Sequence, residues 1–298
     1  MVVLVCRPVP RPFTLVIVHW NQAEACARTL DRFAAQGTEV RALVVDNGSR
    51  PDQLEALREA VAARGGTRLV EQGHNSGFGP GANAGLRRWL ADDDTEWCLL
   101  APHDAEPAPD CLARLDRALA GEPLAGLACA DVGDGMVPML DPYFGGITRR
   151  ATRSEGWEDA DYPHGTLMAL RRGCVEEIGL FEESYFAYCE EADLGRRALD
   201  AGWKIGIVHG ARVTNTHLGT SVAAVDYLME RNTLRMVRDH SGRYHAFIRF
   251  VISLLHLWSG WRNPEDRPPV FSAPARRRAL VDFVRGRTGP PPADLYIR

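Results

Sequence analysis

Val40-Arg41-Ala42-Leu43-Val44-Val45-Asp46-Asn47-Gly48-Ser49 joins a short β-branched apolar run to four consecutive turn-forming polar residues. A run this short, apolar at nearly every position, predicts a strand buried on both faces of a parallel sheet. Aspartate, asparagine, glycine and serine then stop it and start a loop. The same arrangement occurs on either side. Phe13 to Val18 precedes His19-Trp20-Asn21, Thr67 to Glu71 makes a further strand, and Glu96 to Leu100 precedes Pro102-His103-Asp104. Helical patterns fill the intervals, at about 22–36, 52–64 and 81–90. Strands alternating with helices of this length imply right-handed β-α-β crossovers and an α/β fold whose mainly parallel sheet is flanked by helices. Ligands on such sheets sit beyond the carboxyl ends of the strands, so the three polar turns are expected on one rim.

Composition narrows the class. The 298 residues are 45% hydrophobic and 25% charged, as in a globular protein with a sizeable core. A net charge of -4 gives no reason to expect nucleic acid as a partner. Seven scattered cysteines without a C-x-x-C pair fit reduced thiols and point to the cytoplasm. Met1 to Pro12 is broken by Arg7, Pro8, Pro10 and Arg11, which predicts a flexible leader over 1–12 rather than a signal peptide.

Two segments carry chemistry. Tyr185-Phe186-Ala187-Tyr188-Cys189-Glu190-Glu191-Ala192-Asp193 crowds three carboxylates behind aromatics. If it opens a helix, Glu190 and Asp193 share a face, Glu191 points elsewhere, and Arg196 can pair with Asp193. Partly buried like charges have raised proton affinity, as a general base at neutral pH requires. The same cluster also suits an ordinary acidic helix start. The second segment, Asn75 to Gly85, is rich in glycine and lets backbone approach phosphates at a helix start. It follows the third strand rather than the first, and no acidic residue closes a strand about twenty positions on, which argues against a dinucleotide-binding dehydrogenase.

In this order the segments resemble the inverting family-two glycosyltransferases with the GT-A fold, in particular their bacterial rhamnosyltransferase-like branch. The resemblance runs from about Phe13 to about His240. Its landmarks are Val18 to Asn21, Val44 to Ser49, Asn75 to Gly85, Leu99 to Asp104, His164-Gly165 to Arg172, the carboxylate cluster, and Val213 to His217. It implies a nucleoside-diphosphate sugar as donor, a dTDP- or UDP-sugar such as dTDP-rhamnose. The acceptor would be a hydroxyl of a glycan, a lipid-linked molecule or a secondary metabolite. His19, Trp20 and Asn21 would line the base and ribose, Asp46 would accept from the pyrimidine imide, and Asn75, Gly77 and Asn83 would sit near base, ribose and diphosphate. Asp104, completed by His217, would hold a divalent ion, Mn or Mg, against the leaving diphosphate. Glu191 falls at the position of the catalytic base, with His164, Gly165, Glu190 and Asp193 binding or supporting the acceptor. Two positions depart from the family's pattern. Pro102 stands where a first acidic residue often precedes Asp104, and Glu191 replaces an aspartate.

Those departures leave open a catalytically impaired protein that only binds sugar nucleotides or glycans. A nucleotidyltransferase would need a glycine-rich, basic loop after the first strand, and His19-Trp20-Asn21-Gln22 lacks that character. The expected organisation is a leader over 1–12, a glycosyltransferase domain over 13–240 and a helical extension over 241–298. In the extension, His245 to Trp258 is apolar but too short to span a bilayer, and residues 276–287 add five arginines beside Leu280, Val281, Phe283 and Val284. Such a tail suits the anionic inner face of the plasma membrane, or helices packed on the catalytic domain or in a homodimer.

Overall fold

The computed structural model describes residues 11–215 and 221–296, so the expected leader, apart from Arg11 and Pro12, lies outside the described residues. The amino-terminal half alternates as expected: β1 (Phe13–His19), α1 (Ala23–Ala34), β2 (Val40–Asp46), α2 (Pro51–Ala62), β3 (Arg68–Glu71), α3 (Phe78–Asp92), β4 (Trp97–Pro102). Then follow β5 (Ala105–Pro107), α4 (Cys111–Gly121), β6 (Ala125–Asp131), β7 (Met136–Asp141), β8 (Gly145–Arg150), β9 (Gly156–Asp159), β10 (Met168–Arg171) and α5 (Arg172–Ile178). The remainder is α6 (Glu190–Asp200), β11 (Lys204–Asn215), α7 (Val222–Ser241), α8 (Arg243–Arg262) and α9 (Ala273–Val284).

The main sheet runs β3-β2-β1-β4-β10-β6-β11-β5, with β9 on β11, while β7 and β8 form a separate hairpin. β1, β2, β3 and β4 are mutually parallel, and β10 is antiparallel to both of its neighbours. β1 is central and wholly buried, and its alternate residues feed two cores. Phe13, Leu15 and Ile17 pack with α1, α2 and α4; Val16 and Val18 pack with α3, α5 and α6. Register sets His19 opposite Asp46 and Val18 opposite Pro102, so the polar turns emerge along one rim.

Helix α3 begins at Phe78, three residues before the helical pattern does, because Pro80 in the first turn loses no hydrogen bond there. The helix can lie close to the sheet because it carries Gly85. A Cβ at Gly85 would stand 2.4 Å from Val16 Cγ1.

The carboxylate segment is held from behind. Phe186, Tyr188 and Cys189 all have positive φ, at 69°, 68° and 73°, which for residues with a Cβ costs on the order of 1 kcal/mol each. Asn232 of α7, wholly buried, offsets this by pointing its amide Nδ2 at three carbonyls, Tyr185 O (3.0 Å), Ala187 O (2.8 Å) and Tyr188 O (2.9 Å). Its Oδ1 accepts from Arg231 Nε, and Arg231 also donates to Gly289 O at 2.7 Å. α9 and Leu295 then close over Tyr227 and Leu228 of α7. Gly242 separates α7 from α8, yet the carboxy-terminal segment is built into the packing of the carboxylate loop.

Two outcomes are expected. Gly85→Ala should lower stability by about 1–3 kcal/mol in chemical denaturation, because crowding against Val16 outweighs the helix propensity gained. Asn232→Ala should cost roughly 2–4 kcal/mol by leaving buried carbonyls without a donor, and should depress activity at temperatures where the protein is still folded.

Candidate active site

The rim turns, the glycine loop and the carboxylate segment surround one cavity of about 380 Å³, within the size range of small-ligand sites. On its donor side, Trp20, Gln22, Asn47, Asn75 and Gly77 face the space. His19 and Asp46, expected here, lie beneath it and are wholly buried. His19 Nε2 accepts from Gln22 N–H at 3.1 Å, so Nδ1 carries the proton and donates to Asp46 Oδ1 at 3.0 Å. Asp46 Oδ2 accepts from the backbone of Gly48 and Ser49. Burial opposes the charge of Asp46, but His19 and Ser49 outweigh it and hold the carboxyl below its ordinary value. With both oxygens engaged, Asp46 shapes the turn, and it is not among the residues lining the cavity. Asn47, one residue on, is the one facing the cavity.

Asn47 also locks the glycine loop. Its Nδ2 donates to Gly77 O at 2.8 Å, and its Oδ1 accepts from Ser76 N and Ser76 Oγ. Asn75 Oδ1 accepts from Gly77 N at 3.0 Å, and Gly77 adopts φ 100°. Asn83 differs from expectation in the same way as Asp46. It is buried, donating to Phe181 O and Glu183 Oε1 and accepting from Phe181 N, so it ties α3 to the 181–183 turn. Asn21, at φ 56°, spends its Oδ1 on Arg50 N at 2.7 Å and is not among the residues facing the cavity.

At the end of β4, Pro102, His103 and Asp104 all line the cavity. The Asp104 carboxylate carries no hydrogen bond or ion pair among the described residues. Asn215, at the end of β11, faces the same space because β5 pairs it with Ala105. His217, expected as a second ligand, lies outside the described residues. No group of three histidine, cysteine or acidic side chains is gathered as for a metal among the described residues. The described lining also contains no lysine or arginine.

Gly165, Thr166, Tyr188, Glu190 and Glu191 line the same cavity as Asp104. Glu190 and Glu191 both face the cavity, whereas helical spacing alone separates them; Cys189, in the left-handed region, turns the first residues of α6 toward the site. One oxygen of each, Oε2, is buried without a partner. Burial raises the proton affinity of Glu190 well above the ordinary carboxylate value, and the charge of Glu191 adds to it. Burial raises Glu191 as well, against the lowering pull of backbone N–H groups at the helix start. Both carboxyls of the pair therefore hold their protons to higher pH than an ordinary glutamate. Asp193 turns away. It accepts from His240 Nε2 at 2.7 Å and from Arg197 Nε at 3.0 Å. Burial is outweighed by these two partners, so its carboxyl stays below the ordinary value. The residue paired with Asp193 is Arg197, while Arg196 pairs with Asp200, because the i,i+4 spacing suits the arginine reach on this helix. His164 does not face the cavity, and burial lowers its proton affinity.

Sequence reasoning passed over Asn47, Gln22, Thr166 and Asn232. Asn47 and Gln22 adjoin residues that were singled out, and only the direction of each side chain separates them. Asn232 carried no local signal, because its partners are 44–47 positions away.

Residues 14–179 match Glycosyl transferase family 2, more than half of the chain. The chain is 28% identical over 262 residues to N-acetylglucosaminyl-diphospho-decaprenol L-rhamnosyltransferase of Mycobacterium tuberculosis, covering 75% of this chain and 84% of that one. It is 24% identical to the low-salt glycan biosynthesis hexosyltransferase Agl10 of Haloferax volcanii over 297 residues, 93% of this chain and 92% of that one. Among solved structures, the mannosyltransferase PcManGT from Pyrobaculum calidifontis, in complex with GDP-Man and Mn2+, superposes with TM-score 0.60 at 18% identity, covering 92% of this chain and 75% of that one. The fold is GT-A. With a cavity on the rim that this fold uses for its ligand and a sequence matched over most of the sheet, the chain belongs to glycosyl transferase family 2 and is a glycosyltransferase that uses a nucleotide sugar.

Proposed function

We propose that the protein moves a sugar, with inversion at the anomeric carbon, from a dTDP- or UDP-sugar to a hydroxyl of a glycan or lipid-linked acceptor. dTDP-rhamnose is the first donor to test, because a rhamnosyltransferase is among the relatives. The observation that carries the reading is one cavity lined both by Asp104, whose carboxylate has no partner among the described residues, and by the Glu190-Glu191 pair.

The base would lie against Trp20 and be addressed by the amides of Asn47, Asn75 and Gln22, with Gly77 letting the backbone come close. A diphosphate brings negative charge into a lining that offers no lysine or arginine among the described residues, so a divalent cation fits the chemistry. Asp104 would hold it, and such an ion stabilises charge developing on the departing diphosphate. The acceptor hydroxyl would lie between Thr166 and Glu191. Its oxygen attacks the anomeric carbon from the face opposite the diphosphate, the bond to the diphosphate oxygen breaks, and the hydroxyl proton passes to a Glu191 carboxylate oxygen. One displacement gives one inversion. Glu190 lines the cavity beside Glu191 and shares its raised proton affinity, while Asp193 anchors α6 to α7 through His240.

No described helix is long and apolar enough to cross a membrane. We assign the protein to the cytoplasm with its acceptor presented at the inner membrane face. A nucleotidyltransferase is not favoured, since residues 14–179 match Glycosyl transferase family 2.

Asp104→Ala should weaken binding of the sugar nucleotide measured by calorimetry with Mn present, and should abolish the difference between titrations with and without metal. If affinity and metal response both survive, Asp104 is not the ligand. Glu191→Gln should cut turnover by roughly 100- to 10,000-fold with donor affinity kept. Because the base works only when ionised and its proton affinity is raised, wild-type activity should fall as pH drops through a value above the ordinary 4.5 of glutamate. Glu190→Gln mimics the protonated partner and should keep this acid limb in place with most of the activity; the reverse pattern would make Glu190 the base.

A further inference from the structure

Helix α8 is packed through Ala246, Ser253 and Gly260, and leaves its other face bare. Along that face Tyr244 (66% exposed), Phe247 (63%), Val251, Leu254, Leu255, Trp258 (57%) and Trp261 (70%) recur every three or four residues, one stripe along the whole helix. Near its end the stripe meets the start of α9 in a shallow groove where Leu254, Trp258 and Trp261 face Ala273, Pro274 and Arg277. Val281 and Val284, exposed, continue the Arg277 face of α9 one and two turns on.

The charge around this apolar surface is one-sided. Residues 241–298 hold ten arginines against four acids, a net +6, in a chain whose total is -4. Arg243 and Arg262 bracket the stripe, Arg277 lies on α9 and Arg285 caps its end, and all four are exposed with no ion pair among the described residues. Arg262 stands over the Trp258 ring at 5.7 Å. Tyrosine and tryptophan with an arginine rim are the side chains favoured where hydrocarbon meets lipid headgroups. A second copy of the chain is a poorer occupant. A two-fold contact sets each patch against itself and would bring the arginine rims together.

We propose that α8 and the adjoining face of α9 form a docking surface for an anionic lipid bilayer, with the apolar stripe entering the interface and the arginines meeting lipid phosphates. This rests on the proposed lipid-linked acceptor only for its purpose; the surface itself is argued from exposure and charge.

The test is flotation of the full chain with vesicles of phosphatidylcholine alone or mixed with phosphatidylglycerol, without donor or acceptor, so that its outcome is independent of the catalytic reading. Expected are recovery with the anionic vesicles, loss of it as salt is raised, and a blue shift of tryptophan emission. Phe247→Glu with Trp258→Glu should reduce partitioning by at least about tenfold, as should Arg277→Glu with Arg285→Glu, whose side chains are too exposed to be needed for folding. Thermal denaturation checks that each variant is folded. Absence of flotation, equal flotation with both vesicle types at high salt, or undiminished binding by the folded variants would overturn the proposal. So would a dimer in sedimentation velocity that Trp258→Glu dissociates.

Discussion

Two backbones touch at the centre of the site, and much of its geometry follows from that contact. A Cβ at Gly77 would stand 2.2 Å from Phe186 O, so only glycine lets the loop before α3 meet the loop before α6. Gly79 N points at the same carbonyl, at 3.4 Å. On one side Asn47 and Asn75 fix Gly77; on the other Asn232 fixes Tyr185 to Tyr188. The donor side and the carboxylate side are therefore one piece. Position of an acceptor hydroxyl relative to an anomeric carbon matters at the scale of an ångström, and a backbone contact of this kind is a short, stiff way to set it.

The site is built of neutral amides and carboxylates, and the protein's arginines are used elsewhere. Arg231 is buried in the clamp, Arg197 holds α6, and exposed arginines without an ion pair among the described residues include Arg243 and Arg262 on α8 and Arg277 on α9. A cavity lined this way repels a diphosphate until something positive accompanies it, which makes a cation part of the binding problem rather than an addition to it. The same distribution separates two surfaces: the cavity is lined by carboxylates and neutral groups, and the exposed face of α8 and α9 carries arginines.

The alternation of strand and helix was legible because β1, β2 and β4 are buried on both faces and their polar turns are abrupt. Register then placed those turns on one rim, as the sheet rule requires. What the sequence could not convey was which member of each turn faces the ligand. Asp46 and Asn47 are adjacent in sequence, yet the first points down into His19 and the second faces the cavity. Asn83 looked like a sugar ligand because an amide in a glycine-rich loop suits one, but a helix starting at Phe78 carries it a full turn away into the 181–183 backbone. The four-residue β10 and the Asn232 clamp depend on partners far along the chain, for which local periodicity has no signature.

The substitution of glutamate for aspartate at position 191 has a structural counterpart in the loop that precedes it. A longer side chain moves its carboxylate by about one carbon–carbon bond, and unless the backbone shifts, the base misses the hydroxyl. Here the backbone is not that of an ordinary helix start. Cys189 is left-handed, so α6 begins with both glutamates turned to the cavity and their oxygens partly without protein partners. Removal from water pushes their proton affinity up, while the backbone N–H groups at the helix start pull Glu191 down. The two influences oppose each other at a single side chain, and the neighbouring Glu190 is raised by its own burial and by the charge of Glu191. A raised proton affinity makes a carboxylate, once ionised, a better acceptor of a hydroxyl proton than an ordinary one. That both glutamates line the cavity goes with the strained loop before them, which Asn232 fastens.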